Sequence, residues 1–236
     1  MKRLLRSFVF CAALLAVIST SLLTWLNITA VAAGDLPPLR NGDIVFQDSG
    51  GGQGVAIMFA SRSLYTHTGL IEIAPDGTAR VVEAVGPVRT IPLDRWIANG
   101  RGKRITIKRL RNLDESKAKA VIARAHHYDD YPYDIFFYES RDAIYCSELV
   151  YAAFLEAVGI SVGRVEKVRD LHIDNAAVRK LIEARWQRHP LCQSNETTTF
   201  EACYALVLEQ TLVTPASIAR DPQMELVYSN FGIVGD

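Results

Sequence analysis

Tyr145-Cys146-Ser147-Glu148-Leu149-Val150 is the stretch on which the fold turns. From Leu149 onward, Val150, Ala153, Phe154 and Ala157 recur at helical spacing, and Gly159 stands where a helix would stop. The pattern predicts a helix over Cys146–Val158 with the thiol in its first turn. A helix N-terminus carries unpaired N–H groups and the positive end of the dipole, which together favour a thiolate. The cysteine arithmetic points to the same residue. Of four cysteines, Cys11 lies in an N-terminal apolar run, while Cys192 and Cys203 sit close enough in sequence to pair. Such a pair would close a small loop worth about 3 kcal/mol. Cys146 is left over, and an unpaired cysteine in an exported protein is a candidate reactive thiol. Free cysteines are also common core residues, so the thiol needs partners before it means anything.

A base should accompany it. His67 lies in Tyr65-Thr66-His67-Thr68-Gly69-Leu70, at the start of a strand and beside a glycine that permits close approach. His126 and His127 are adjacent on a predicted helix and point about 100° apart, so at most one faces the core. His172 and His189 fall near helix ends, where capping explains them. For a group to orient the imidazole, Glu83 in Val81-Val82-Glu83-Ala84-Val85 is an acid inside an apolar strand, costly to bury without a partner. Pro75-Asp76-Gly77 between the two strands signals a hairpin. A two-residue loop would pair position 70 with 83 and send His67 to the opposite face. An odd loop of three or five residues puts 67 and 83 on one face, and only then does Glu83 serve as orienter. No His/Cys/Asp spacing matches a zinc signature, so neither a catalytic metal nor a cofactor is expected.

The rest of the chain sets the context. Lys2, Arg3 and Arg6 precede an apolar run from Phe8 to about Leu26, and Ala30-Val31-Ala32 supplies a small-x-small exit. This is the form of a secretory signal over residues 1–33, although the run is also long enough to remain as a membrane anchor. Both readings place the remainder outside the cytoplasm, in the periplasm or cell envelope. Removing Lys2, Arg3 and Arg6 from 26 basic residues leaves 23 against 26 acidic ones, a net charge of −3. A nucleic-acid partner is therefore not expected. Residues 34–236 fit a single domain. Oligomeric state leaves no mark on the sequence.

Strands are expected at 42–46, 66–74, 79–85, 88–91 and 105–110, with a flexible Gly50–Gly54 loop and a short helix over 55–63. Asn112 with Glu115 reads as a capping box opening a helix to about His127. An aromatic connection, Tyr128–Tyr138, leads toward the cysteine helix. A third helix is expected over 173–187, ended by Pro190, followed by a strand at Tyr204–Leu208 and a short helix opened by Thr214-Pro215. Strands early and helices late indicate an α+β fold, a small antiparallel sheet packed against helices.

His67 in Thr-His-Thr-Gly-Leu, Glu83 in Val-Glu-Ala and Cys146 in Tyr-Cys-Ser-Glu-Leu-Val, taken in this order, resemble the YiiX/YaeF-like permuted papain-like amidases, relatives of NlpC-type cell-wall peptidases and of lecithin retinol acyltransferase. Gly42-Asp43-Ile44-Val45 and Thr214-Pro215-Ala216-Ser217-Ile218 extend the resemblance over about residues 40–230. It implies a circularly permuted papain-like (NlpC-type) fold, with Cys146 as nucleophile, His67 as base and Glu83 as third member. Tyr133 and Tyr145 become candidates to line the site, since a phenol can donate to an oxyanion. The Cys192–Cys203 segment has no match in the family pattern. The expected activity is that of a cysteine hydrolase cleaving an amide, of cell-wall peptide type, through an acyl-cysteine. A lipid acyltransferase or esterase, associated with the membrane through the N-terminal segment, would use the same residues, and a non-catalytic binding module would use the same cleft.

Overall fold

The run Ile44-Val45-Phe46 carries apolar side chains at successive positions, so the strand it forms must be covered on both faces. It is the central strand of the molecule. The structure is a computed structural model describing residues 31–140 and 142–231. Cys11, the basic start and the apolar run of the expected signal lie outside the described residues.

In chain order the elements are β1 (Ile44–Gln47), α1 (Gly51–Ser61), β2 (His67–Ile73), β3 (Ala79–Ala84), β4 (Val88–Pro92), α2 (Leu93–Asn99), β5 (Thr106–Leu110) and α3 (Glu115–Ala125). Then follow α4 (Cys146–Val158), β6 (Val165–Lys167), α5 (Ala176–Glu183), α6 (Pro190–Ser194), α7 (Phe200–Glu209), β7 (Thr211–Val213), α8 (Pro215–Ala219) and β8 (Met224–Ser229). A six-stranded sheet in the order β4-β3-β2-β1-β5-β8 is antiparallel throughout, and β6 pairs with β7 in a separate ribbon. This is an α+β architecture with the histidine strand preceding the cysteine helix. The antiparallel sheet packed against helices is the one read from the sequence, with β8 returning from the C-terminal end to add a strand beside β5.

Strand alternation divides the core. Ile44, Phe46, Leu70, Val82 and Ala84 pack against Val121 and Ile122 of α3 and Leu149, Val150, Ala153 and Phe154 of α4. Val45, Ile71, Val81, Ile91 and Ile107 face the other way, onto Trp96 and Ile97 of α2 and the lead-in residues Leu36 and Leu39. Each fully buried aliphatic or aromatic side chain of this kind contributes about 1.5–3 kcal/mol. At the end of β1, Asp43 takes both Arg109 Nε (2.6 Å) and Arg109 Nη2 (2.7 Å) and also the Arg40 N–H. That bidentate pair fixes β1 against β5.

The β2–β3 hairpin settles the register question. Leu70 pairs with Val82 and Ile73 with Ala79, leaving the five residues 74–78 as the loop. In that odd register Gly69 lies opposite Glu83. A Cβ at Gly69 would stand 2.6 Å from Val81 Cγ1 and 2.9 Å from the Val82 carbonyl oxygen, so only glycine lets β2 and β3 lie this close.

Several local expectations are corrected. The glycine-rich segment is not a loop: α1 begins at Gly51, after Gly50 at φ 65°. Asp114, not Asn112, caps α3 by accepting the Lys117 N–H at 2.8 Å, while Asn112 takes a left-handed turn at φ 60°. The expected third helix shortens to α5, capped by Asn175. Pro190 opens α6 instead of ending a helix, as suits its fixed φ and missing N–H. Tyr204–Leu208 is helical within α7, because Cys203 and Val207 must turn inward together and the Cys192–Cys203 disulfide ties α7 to α6. The stretch forming α2 had no assignment from sequence.

Candidate active site

The thiol, imidazole and carboxylate meet where β2, β3 and the N-terminus of α4 converge. His67 opens β2, and Glu83, one pair removed along β3, reaches it diagonally on the same face. The imidazole Nε2 lies 2.6 Å from Glu83 Oε2, which leaves Nδ1 as the ring nitrogen facing the thiol. The other carboxylate oxygen, Oε1, accepts from Arg89 Nε at 3.0 Å and Nη2 at 2.9 Å. Arg89 stands directly across from Glu83 in the β3–β4 register. Trp96 of α2 lies against the imidazole, ring centroids 5.9 Å apart and planes 26° from parallel, a placement that also favours a cationic ring.

Cys146, His67 and Glu83 are all at most 5 % exposed, so their charges are strongly felt. Burial opposes ionisation of the Cys146 thiol, but the hydrogen bond and charge of His67, with the Thr68 and Ser147 N–H groups, pull it below its ordinary value. Burial likewise disfavours the imidazolium, yet hydrogen bonds to Cys146 and Glu83 and their charges raise His67 to about 10. Glu83 is lowered against its own burial by His67 and then Arg89. Thiolate, imidazolium, carboxylate and guanidinium thus alternate in sign along one line, each offsetting the burial cost of its neighbour.

Tyr133 reaches the thiol from the aromatic connection. Asp134 shapes that segment by accepting the Phe136 and Tyr138 N–H groups at 2.7 and 2.6 Å, and the Tyr133–Ile144 bridge lays it alongside the chain entering α4. Burial, then the neighbouring Cys146 charge and hydrogen bond, hold the Tyr133 phenol well above its ordinary value, so it stays protonated and able to donate. Its oxygen accepts from Gln53 Nε2 at 3.1 Å, and Gln53 Oε1 accepts from Arg185 Nη2 at 2.8 Å. Arg185 Nη1 is anchored on the Ile135 carbonyl. Tyr145 sits next to the thiol in sequence, but its hydroxyl accepts the Val213 N–H at 3.0 Å. Ser147 donates to the Val213 carbonyl at 2.8 Å. These two bonds brace the start of α4 against β7.

Cys146, His67, Glu83 and Tyr133 are therefore brought together, and Tyr145 serves at the wall. Arg89, Trp96, Gln53 and Arg185 escaped the sequence reading. Arg89 had a signal, since a tight turn at 85–87 places it across from Glu83. Gln53 and Arg185 had none, because their meeting depends on tertiary packing of segments 132 residues apart.

A family model described as "Permuted papain-like amidase enzyme, YaeF/YiiX, C92 family" matches residues 38–228. The chain is 31% identical over 189 residues to the protein YiiX of Escherichia coli (strain K12), covering 80% of this chain and 85% of that one. It also resembles a crystal structure described as the metalloprotein YiiX from Escherichia coli O157:H7, with a TM-score of 0.70 and 31% identity over 80% of this chain and 97% of that chain. Among the described residues here, no group of three or more His, Cys, Asp or Glu side chains is arranged to hold a metal ion. The donors among these described residues do not fit a metal.

Proposed function

The chain belongs to the permuted papain-like amidase family, and on that footing we propose that it is an extracytoplasmic thiol hydrolase that cleaves an amide through an acyl-cysteine intermediate. The observation that carries the reading is the buried Cys146–His67–Glu83–Arg89 line of alternating charges at a helix N-terminus. The Cys146 thiolate attacks the amide carbon, forming the C–S bond as the carbonyl π pair moves to oxygen. The Tyr133 hydroxyl and the first-turn N–H groups of α4 face that oxyanion. Imidazolium His67 then protonates the leaving nitrogen as the C–N bond breaks, giving the acyl-cysteine and a free amine. His67, now neutral, takes a proton from water as the water oxygen attacks the acyl carbon. Collapse breaks the C–S bond, releases the acid and restores the thiolate–imidazolium pair. Glu83 orients the ring and stabilises its cationic form, and Arg89 holds Glu83.

The export pattern at the N-terminus and the Cys192–Cys203 disulfide support a location in an oxidising compartment. An N-terminal segment retained after export would hold the enzyme at a membrane. Among the described residues no helix is long and apolar enough to cross one. A cell-wall peptide amide and a lipid ester both pass through the same acyl-enzyme. A binding module would have no use for an ionised Cys146. The test is intact-mass measurement of the protein mixed with activated amides. An acyl adduct that disappears in Cys146→Ala supports the reading, and turnover undiminished in Cys146→Ala ends it.

A further inference from the structure

Residues 135–137, which follow shortly after Tyr133, are held by side chains from a distant segment. Arg185 Nη1 donates to the Ile135 carbonyl, and Gln210 Nε2 donates to both the Phe136 carbonyl, at 3.1 Å, and the Phe137 carbonyl, at 2.5 Å. Three consecutive carbonyls are thus engaged from outside the loop. Phe137 takes a left-handed backbone at φ 53°, a conformation that costs a non-glycine residue energy and persists only where its surroundings impose it. Its ring stands edge-on to Tyr133, centroids 6.4 Å apart, and edge-on to Tyr145 at 5.4 Å. The bond from Gln210 therefore fixes the residue against which the Tyr133 ring packs.

Gln210 is itself fixed. It stands buried between α7 and β7, and its backbone carbonyl accepts the Val168 N–H at 2.9 Å. Gln210 Oε1 and His189 Nε2 are both buried without a hydrogen bond of normal geometry, yet the two side chains are neighbours. His189 Nδ1 accepts the Leu191 N–H at 3.3 Å, so the neutral imidazole carries its proton on Nε2. Burial holds that imidazole below its ordinary value, against an upward pull from Gln210, and the ring stays neutral. A proton on His189 Nε2 favours the Gln210 amide with its oxygen toward the imidazole and its NH2 toward the carbonyls. The Cys192–Cys203 disulfide joins α6, which His189 caps, to α7, which Gln210 follows.

We propose that Gln210 is a positioning residue for the Tyr133 hydroxyl, so that segment 168–210 assembles the oxyanion donor and has no part in assembling the nucleophile. The inference rests on the thiol-hydrolase reading and adds to it the residue that holds the oxyanion donor. Cys146, His67 and Glu83 are set by α4, β2 and β3, with Arg89 of β4 behind the carboxylate. Tyr133 instead reaches the thiol from a loop whose shape depends on Gln210. Loss of Gln210 leaves the thiolate–imidazolium pair in place and lets the phenol drift from the oxyanion. A misplacement of about 1 Å at a reacting centre can cost on the order of 100-fold in rate.

The test is a double-mutant cycle of Gln210→Met and Tyr133→Phe, with kcat and KM read on the p-nitroanilides of acetic acid and L-alanine. Tyr133→Phe removes one oxyanion donor and is expected to lower kcat about 100-fold. Gln210→Met is expected to lower kcat about tenfold with KM little changed, and to cost nothing further in the Tyr133→Phe background. Alkylation of Cys146 by iodoacetamide is expected to keep its wild-type rate in Gln210→Met, which a general loosening of the site would not allow. If Gln210→Met does not fold, Gln210→Asn carries the same cycle, since its amide falls one methylene short of the carbonyls. Losses that multiply in the double variant, or an alkylation rate that falls with kcat, overturn the positioning role and leave the hydrolase intact. Wild-type kcat in Tyr133→Phe overturns the oxyanion role of Tyr133 and the role of Gln210 with it. No acyl-Cys146 from either anilide in the wild type overturns the hydrolase reading as well.

Discussion

Replacing Glu83 by glutamine isolates what the carboxylate does, because the amide keeps the shape and an acceptor oxygen while losing the charge. In the wild-type protein Glu83 Oε2 lies 2.6 Å from His67 Nε2, and Oε1 holds two Arg89 nitrogens at 2.9 and 3.0 Å. A hydrogen bond to a charged partner is worth about 1.5–3 kcal/mol and a neutral one about 1 kcal/mol. The variant therefore removes roughly 1–2 kcal/mol of support for the imidazolium. Arg89 is 43 % exposed, so water screens its half of the loss. At 1.36 kcal/mol for each pH unit, the shift is about one unit. His67 is raised to about 10, so the productive pair survives in the wild type up to that pH and is lost as the imidazolium deprotonates above it. In Glu83→Gln the alkaline limb of the kcat/KM profile is expected to fall by about one unit. The acidic limb, which belongs to formation of the thiolate, is expected to move up, since a weaker imidazolium supports the thiolate less. The activity maximum should drop about 5- to 30-fold. The assay is kcat/KM against pH on an anilide that acylates Cys146, with both limbs read as properties of the coupled pair. Superimposable profiles for wild type and Glu83→Gln would refute the reasoning.

Three further perturbations have defined outcomes. Arg109→Met strands Asp43, whose side chain is 1 % exposed, and should cost about 3–5 kcal/mol in urea unfolding; a loss below about 1 kcal/mol contradicts the role given to this pair. Arg185→Met frees Gln53 and thereby Tyr133, and should lower kcat by about tenfold with little change in KM, because in the proposed mechanism the Tyr133 hydroxyl serves the oxyanion and not bound substrate; an equal change in both would mean that Arg185 merely shapes the site. Burial pushes Glu148 up to about 8, against the pull of the Tyr145 N–H and with added repulsion from Asp134 and Glu139. A raised carboxyl contributes stability below its ordinary value near 4.5 that is lost as pH climbs through 8. Glu148→Gln should therefore match the wild type at pH 4 and exceed it in Tm by a few degrees above pH 8. A constant offset across that range would show that the residue does not titrate as described.

The parts of the site that were legible in the sequence are those set by local pattern. Helical spacing after Cys146 and Gly159 at its end placed the thiol on the first turn of α4. Two strand-like runs flanking the Pro75-Asp76-Gly77 turn placed His67 and Glu83 on neighbouring strands, with the loop length left as the deciding variable. What stayed hidden depends on packing between distant segments. Gln53 sits in a glycine-rich stretch of low helical propensity, so the helix that aims it was invisible. Arg185 reaches Gln53 only because α5, just ahead of it in the chain, packs on α1. Tyr204–Leu208 was misjudged because a short apolar run does not reveal its period; the disulfide-linked Cys203 and buried Val207 supply the tertiary reason for its helix. Trp96, stacked on the His67 imidazole, lay in a segment whose apolar residues were too few to define a pattern.

The most direct measurement of the central claim is the rate of Cys146 alkylation by iodoacetamide across pH 5–9, in the full-length protein and in His67→Ala. A thiolate held by an imidazolium should react well below the pH at which an ordinary thiol does, with a flat rate through neutrality. His67→Ala should lose that plateau and follow the profile of a buried thiol raised by desolvation. Equal rates in the two proteins, or a wild-type rate no greater than that of a model thiol near neutral pH, would contradict the account.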